Sequence, residues 1–130
     1  MPSIECDQLH KISLEILKSE GSTSEEANIV SEHLIAANMA GHDSHGIIQV
    51  PVYVDRMRKG DIVPNAPFEI INETANSVTV DGNWGFGFVM TERTMRITID
   101  KAKENNVAAA TVAHQSHIGR LTDYSLMAAR

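Results

Sequence analysis

Residues 107–119 read VAAATVAHQSHIG, an apolar run that is followed at once by a polar turn. Residues 107–112 carry no charge and show no alternation with charged residues, which is typical of a strand buried on both faces. The residues before this run predict a helix over 88–105, and another helix is predicted from Leu121 onward. The segment therefore predicts a buried strand that connects two helices.

The first 60 residues, in contrast, predict helices alone. Helices are expected over 7–19, from the segment around residues 22–26 to about Met39, and over 47–58, where Pro51 is tolerated only if it lies in the first turn. Two overlapping capping boxes, Ser22 with Glu25 and Thr23 with Glu26, precede the second helix. The first two helices are expected to pack as a hairpin through Leu9, Ile12, Ile16 and Leu17 of one and Ala27, Val30, Leu34 and Ala37 of the other.

The segment between these helices and residue 107 carries the remaining strand signals. Residues 68–71 and 78–80 are β-prone and can be joined by a turn over 72–76. A loop with Gly82, Gly85 and Gly87 follows, and we expect these glycines to supply positive φ angles. Their spacing does not match the Rossmann pattern Gly-x-Gly-x-x-Gly. The sequence predicts an α+β fold, with a helical region over 1–66 and an α/β region over 67–130.

Composition narrows the classes of function. The chain has 130 residues, 42% of them hydrophobic, and a net charge of −6, which argues against a general binder of nucleic-acid backbones. No apolar run approaches the roughly 20 residues of a membrane helix. The single Cys6 and the acidic start of the chain predict a cytoplasmic protein without a membrane partner. The last predicted helix reaches Arg130 without a cap, so we expect either that the natural chain stops there or that this is the first part of a longer protein.

Two short turns concentrate the histidines. Each has two histidines three residues apart, with a serine before the second: His42, Ser44 and His45, and His114, Ser116 and His117. Imidazole exchanges protons near neutral pH, and a neighbouring hydroxyl can orient it, so proton transfer is one interpretation and an ordinary polar loop is another. Four imidazoles could also bind zinc, but the His-Glu-x-x-His pattern is absent. We expect no stoichiometric metal.

Both turns match a known signature. Gly41-His42-Asp43-Ser44-His45-Gly46 followed by Tyr53, and Ser116-His117-Ile118-Gly119-Arg120-Leu121 followed by Tyr124, resemble the malate/L-lactate dehydrogenase family. This is a family of non-Rossmann NAD(P)-dependent oxidoreductases, and the resemblance extends over essentially the whole chain. It implies hydride transfer between NAD or NADP and a small 2-oxo/2-hydroxy acid or cyclic imino acid. It also implies a homodimer, with residues 67–130 as the first, incomplete part of a mixed-sheet cofactor domain.

The resemblance assigns roles to individual residues. It implies that His117 is the proton donor and acceptor at the substrate oxygen and that Ser44 and His45 belong to the active site. Gln49 and Tyr53 are the substrate-binding candidates, and Gln49 stands where many relatives have an arginine that holds the substrate carboxylate. The cofactor-binding candidates are His117, Ile118, Gly119, Arg120 and Leu121.

Other classes of function remain open at this point. One is a non-catalytic dimerisation or interaction module, and another is a zinc-dependent hydrolase built on the two histidine turns. Family chains are well over twice as long as this one. We therefore expect the isolated chain to lack dehydrogenase activity, to bind NADH and NADPH very weakly if at all, and to self-associate.

Overall fold

The computed structural model describes residues 3–130; Met1 and Pro2, at the start of the predicted helical region, lie outside the described residues. The chain divides into two compact units, Met1–Asn65 and Ala66–Arg130. The described part of the first unit is helical, and the second combines a sheet with two helices. The predicted α+β class is confirmed.

The first unit contains three α-helices and two single-turn 3₁₀ helices. In chain order these are α1 (Cys6–Ser19), α2 (Ser24–Met39), the 3₁₀ helices Asp43–His45 and Ile47–Gln49, and α3 (Val50–Lys59). Thr23, rather than Ser22, caps α2, and its side chain forms the capping box with Glu26. Helix α3 begins at Val50, later than the predicted start at Ile47, and this places Pro51 in the first turn, where it is tolerated. Gly60 ends α3 with a left-handed φ of 80°.

The core of the first unit confirms the predicted face of α2 and corrects that of α1. Ala27, Val30, Leu34 and Ala37 are fully buried. In α1, Ile12 and Ile16 are 48% and 37% exposed, so these two predictions are wrong. Leu17 is buried as predicted, Leu9 is half-buried, and Ser13 is buried although it was not predicted to be. A buried serine is tolerated because its hydroxyl donates to the backbone oxygen of Leu9 at 2.9 Å, which satisfies the polar group within the helix.

The second unit is a three-stranded mixed sheet with two helices. Its elements are β1 (Glu69–Glu73), β2 (Ser77–Gly85), α4 (Gly87–Asn105), β3 (Ala109–Gln115) and α5 (Thr122–Ala129). The strand order is β1-β2-β3, in which β1 pairs antiparallel and β3 pairs parallel with β2. Helix α4 forms the crossover that parallel strands require, and it packs against β2 and β3.

Strand β3 is not the buried strand that the apolar run predicts. It begins at Ala109, and among its residues only Val112 and Gln115 are even half-buried, while Val107 is 66% exposed. The physical reason is its place in the sheet, because β3 pairs with β2 along one edge and no other described strand pairs with it. The apolar composition therefore predicted the strand correctly, but the prediction that the strand is buried is wrong.

The expected glycine loop is instead the end of β2, interrupted by a bulge. Asp81 is paired with Ala113 and Gly85 with Gln115. Between these two pairs β2 advances by four residues and β3 by only two, so β2 contains a bulge. The positive φ angles belong to Asn83 and Trp84, at 47° and 61°, and not to the three glycines. That prediction is wrong. The glycines are needed for close approach: a Cβ at Gly82 would lie 2.9 Å from the backbone oxygen of His114.

Candidate active site

The first histidine turn holds the His45 imidazole on two sides. Ser44 Oγ lies 3.0 Å from His45 Nδ1, and the His42 ring stands edge-on to the His45 ring with centroids 6.2 Å apart. His45 is half-buried, whereas Ser44 and His42 are exposed. The hydroxyl therefore fixes the orientation of a solvent-accessible imidazole, which is the arrangement a proton-transferring histidine needs.

The two substrate-binding candidates of this unit lie in different surroundings. The Gln49 side chain donates from Nε2 to the backbone oxygen of Ser44 at 2.7 Å, so it lies directly beside the turn. Tyr53 is only 1% exposed, and burial raises the pKa of its hydroxyl to about 12, against a smaller lowering by the charge of Arg56. Its phenol is protonated at neutral pH. A role for Tyr53 in contacting substrate stays a prediction.

The second histidine turn lies on the N-terminus of α4. The backbone N–H of Gly87 donates to Ser116 Oγ at 3.0 Å, and the backbone N–H of Ser116 donates to the oxygen of Gly85 at 3.1 Å. A Cβ on Gly87 would lie 2.7 Å from the carbonyl carbon of His117 and closer still to the oxygens of Ser116 and His117. Only glycine allows this approach, so the sequence at 87 determines where His117 sits.

Three further residues hold the turn in place. Tyr124 Oη, on α5, donates to the backbone oxygen of Ile118 at 2.6 Å. The buried Phe88 ring stands edge-on to the His117 ring, with centroids 6.2 Å apart. Gly119 is buried with a φ of 70°, and a Cβ there would collide with Phe88. The exposed His117 imidazole is thus carried by a backbone that is anchored at both ends.

The remaining cofactor-binding candidates are one cation and one apolar residue. The guanidinium of Arg120 pairs with Asp123, and both side chains are largely buried. Arg120 Nε is buried and has no hydrogen-bond partner among residues 3–130. Leu121 is 66% exposed. The end of the turn therefore contains a buried, unsatisfied donor and an exposed apolar side chain.

Each turn brings its own predicted residues together: Ser44, His45 and Gln49 in the first unit, and the run from His117 to Leu121 in the second. Sequence reasoning missed Asn38, whose side chain hydrogen-bonds to Asp43 and to the backbone of Ile47. An asparagine in the last turn of a helix gives no signal of such a contact, because the contact depends on how the following turn folds back.

His114 is engaged in a separate cluster. Its Nδ1 lies 2.9 Å from Asp81 Oδ2, and its ring lies over the exposed Trp84 ring with centroids 5.3 Å apart. Asp81 Oδ1 accepts from the backbone N–H of Asn83 at 2.8 Å. This N–H and then the His114 ring hold the pKa of the Asp81 carboxyl below its usual value. The cluster closes the β2 bulge against β3.

The lowered pKa of Asp81 gives a pH-dependent contribution to stability. Because the folded state favours the charged carboxylate, this contribution is present above the unfolded pKa and is lost as pH falls through the lower folded pKa. We expect Asp81→Asn to lower the thermal midpoint at neutral pH and to flatten its decline in acid. Asp55→Asn, which removes an exposed carboxylate paired with Lys59, is the matched control. Identical acid profiles for wild type and Asp81→Asn would contradict this.

Metal and membrane alternatives find no structural support in the described part of the chain. Among residues 3–130, no three histidine, cysteine, aspartate or glutamate side chains are grouped so that they could hold a metal ion. The helices over the same residues include none with the length and apolar character needed to cross a membrane. The expected lack of stoichiometric zinc stays a prediction.

Comparison with known proteins shows which family of proteins the chain resembles. Residues 4–130 match the family model for malate/L-lactate dehydrogenase. The chain is 40% identical over 113 residues to hydroxycarboxylate dehydrogenase B of Escherichia coli O157:H7, covering 87% of this chain and 31% of that protein. It is 36% identical over 118 residues to L-sulfolactate dehydrogenase of Methanothermobacter thermautotrophicus, covering 91% and 35%.

The fold agrees with these sequence matches. The crystal structure of malate dehydrogenase from Entamoeba histolytica superposes with a TM-score of 0.95 at 38% identity, covering 98% of this chain and 36% of that chain. The chain therefore has the fold of the corresponding part of a hydroxy-acid dehydrogenase. It belongs to the malate/L-lactate dehydrogenase family, and it spans about a third of the length of the relatives that it matches.

Proposed function

We propose that this chain forms the part of an NAD(P)-dependent 2-hydroxy-acid oxidoreductase that supplies the proton-transferring histidine. The observation that carries the proposal is the His117 turn, where an exposed imidazole sits on a backbone fixed by Gly87 and Tyr124. Membership of a dehydrogenase family supports it. The substrate class is a small 2-oxo/2-hydroxy acid, as the names of the relatives suggest. The cytoplasm and a homodimer are the proposed location and assembly.

The chemistry of the turn suits this reaction. When a 2-oxo acid is reduced, its carbonyl oxygen gains negative charge as hydride reaches the carbon. A protonated His117 imidazole donates its proton to that oxygen, and the neutral imidazole takes it back in the reverse direction. In the first unit, Ser44 orients the His45 imidazole, which we propose as a second active-site group.

The turn also fits one side of a nicotinamide cofactor. Arg120 Nε is a buried donor with no partner among the described residues, and such a donor needs a hydrogen-bond acceptor. Leu121 offers exposed apolar surface beside it. Residues 117–121 would hold the cofactor here, and NADH or NADPH would supply the hydride when bound.

A hybrid enzyme tests the proposal. In it, this chain replaces the matching third of Escherichia coli hydroxycarboxylate dehydrogenase B, to which it is 40% identical. Oxidation of NADH and NADPH is measured with a panel of small 2-oxo acids, and the E. coli protein without the matched segment is the control. We expect turnover that depends on both cofactor and oxo acid. A folded hybrid that oxidises neither cofactor with any member of the panel would overturn the proposal.

Gln49 gives a prediction about substrate binding. Its amide donates to the Ser44 oxygen and carries no charge, whereas an arginine has enough donors to keep that contact and bind a carboxylate in addition. A charge-assisted bidentate bond is roughly twice as strong as a neutral one. We expect Gln49→Arg in the hybrid enzyme to lower KM for simple 2-oxo acids. An unchanged or raised KM across the panel would remove Gln49 from the carboxylate site.

Exposed apolar residues favour self-association as a second candidate function. A shallow groove of about 200 Å³ lies between α1 and α3, lined by Ile12, Ile16 and Pro51 among others. The side chains of Ile48 and Val52 are also exposed, by 65% and 41%. Such surface favours burial against another molecule. Sedimentation of the chain over a range of concentrations tests this. An oligomer that forms with rising concentration supports a role as a dimerisation module, and a monomer at every concentration contradicts it.

A further inference from the structure

We propose that Asn38 is the positioning residue of the Ser44–His45 turn. This rests on the proposed function, because the role of Asn38 matters to catalysis only if His45 belongs to the active site. Asn38 lies in the last turn of α2, five residues before Asp43. It acts through the turn and not on the substrate.

The Asn38 amide bridges both ends of the turn. Its Nδ2 donates to Asp43 Oδ1 at 2.7 Å, and its Oδ1 accepts from the backbone N–H of Ile47 at 2.8 Å. Asp43 immediately precedes Ser44, and Ile47 comes two residues after His45. One side chain thus uses a donor and an acceptor to set the span between the two flanks, and an amide offers these on two separate atoms.

Gly46 provides the space that the Asn38 side chain occupies. A Cβ at Gly46 would lie 2.5 Å from Asn38 Nδ2 and nearer still to the other amide atoms. Gly46 has a φ of −92°, which any residue can adopt, so backbone freedom does not explain the glycine. Its lack of a side chain lets the Asn38 amide lie against the backbone. Asn38 and Gly46 therefore form one fitted contact beneath the turn.

The contacts that orient His45 depend on this span. Ser44 Oγ meets His45 Nδ1 only while residues 43–45 keep their single 3₁₀ turn, and Gln49 reaches the Ser44 oxygen from beyond Ile47. Releasing either flank frees the Ser44 hydroxyl to rotate away from the imidazole. The His45 imidazole then loses its hydrogen bond at Nδ1, and with it one restraint on the orientation of the ring.

Two substitutions separate the bridge from general packing. Asn38→Asp keeps the size of the side chain and its acceptor for Ile47, but it places a carboxylate against that of Asp43, and the like charges repel. Combining Asn38→Asp with Asp43→Asn reverses the bond, because the new amide donates to the new carboxylate. Asn28→Ala, on the same helix, is the matched control, since it removes an exposed amide bond to Glu32.

The experiment follows the ring nitrogens of His45 by NMR in the 130-residue chain, with His10 and His33 as internal references. We expect the Nδ1 signal of His45 to report a hydrogen bond in wild type and in Asn28→Ala, and to move to that of an imidazole without this bond in Asn38→Asp, with the reference signals unmoved. The double variant is expected to restore the wild-type His45 signals. Wild-type His45 signals in Asn38→Asp would overturn the proposal, and so would a failure of the double variant to restore them.

Activity in the hybrid enzyme distinguishes this proposal from the proposed function. We expect Asn38→Asp to lower kcat about tenfold or more with little change in KM, and the double variant to recover most of the loss. If the His45 signals respond as expected while a folded hybrid enzyme has no turnover, the proposed function fails and Asn38 still positions the turn. If the hybrid is active but Asn38→Asp alters neither kcat nor the signals, only the positioning role fails.

Discussion

His117→Ala is expected to lower kcat of the hybrid enzyme by about 10²- to 10⁴-fold, the range that a positioned acid or base contributes. The imidazole is exposed on an anchored turn, so its removal leaves the backbone contacts of Ser116 and Ile118 in place. Because proton donation is needed in the transition state and not for substrate binding, KM should change far less than kcat. Steady-state kinetics over the pH range 5 to 9, roughly centred on the ordinary pKa of histidine, measure both.

His114→Ala is the control for this prediction. It removes the other histidine of the same turn, whose ring is engaged by Asp81 and Trp84. We expect this variant to affect stability and to leave kcat within a few-fold of wild type. Near-wild-type turnover of His117→Ala at every pH would remove His117 from the mechanism.

Gly87→Ala is expected to give the largest structural effect. The added methyl group collides with the backbone of Ser116 and His117, which is not the movable end of a side chain, so the turn or the start of α4 must shift. Overpacking of this kind costs about 3 kcal/mol at the upper end of its usual range, which corresponds to a fall of roughly 10 °C in the thermal midpoint. Calorimetry of the chain measures it.

Gly41→Ala controls for the addition of a methyl group without collision. No atom lies within 4 Å of a Cβ at Gly41, and only its positive φ of 76° disfavours alanine, at a cost of about 1–2 kcal/mol. Gly87→Ala should therefore be the more destabilising of the two. A smaller loss for Gly87→Ala than for Gly41→Ala would show that the turn does not rest on the helix terminus.

Local signals in the sequence were sufficient for the helices. The Thr23–Glu26 capping box, Pro51 in a first turn and Gly60 after a last turn each act within a few residues, so their structural outcome follows from the sequence. Burial depends on neighbours that are distant in sequence. The exposure of Ile12 and of β3 could not be read from apolar composition, because it is set by which elements lie opposite them.

The candidate site shows the same division. The serine before each second histidine predicted an oriented imidazole, and the Ser44–His45 contact has that form. The residues that hold the two turns in place could not be predicted in the same way. Gly87 contacts Ser116, which is 29 residues away in sequence, and Asn38 contacts Asp43 and a residue beyond it, which are 5 or more residues away. The β2 bulge likewise depends on the register with β3, which no local pattern of glycines reveals.

Chemical rescue is a direct test of proton transfer by His117. The His117→Ala variant of the hybrid enzyme is assayed with a series of imidazoles of increasing pKa, because the exposed turn leaves room for a small base in place of the lost ring. Added imidazole is expected to restore part of kcat, with a rate that varies along the series as general acid–base catalysis requires. A folded His117→Ala hybrid that shows no response to any imidazole would contradict a proton-transferring role for His117.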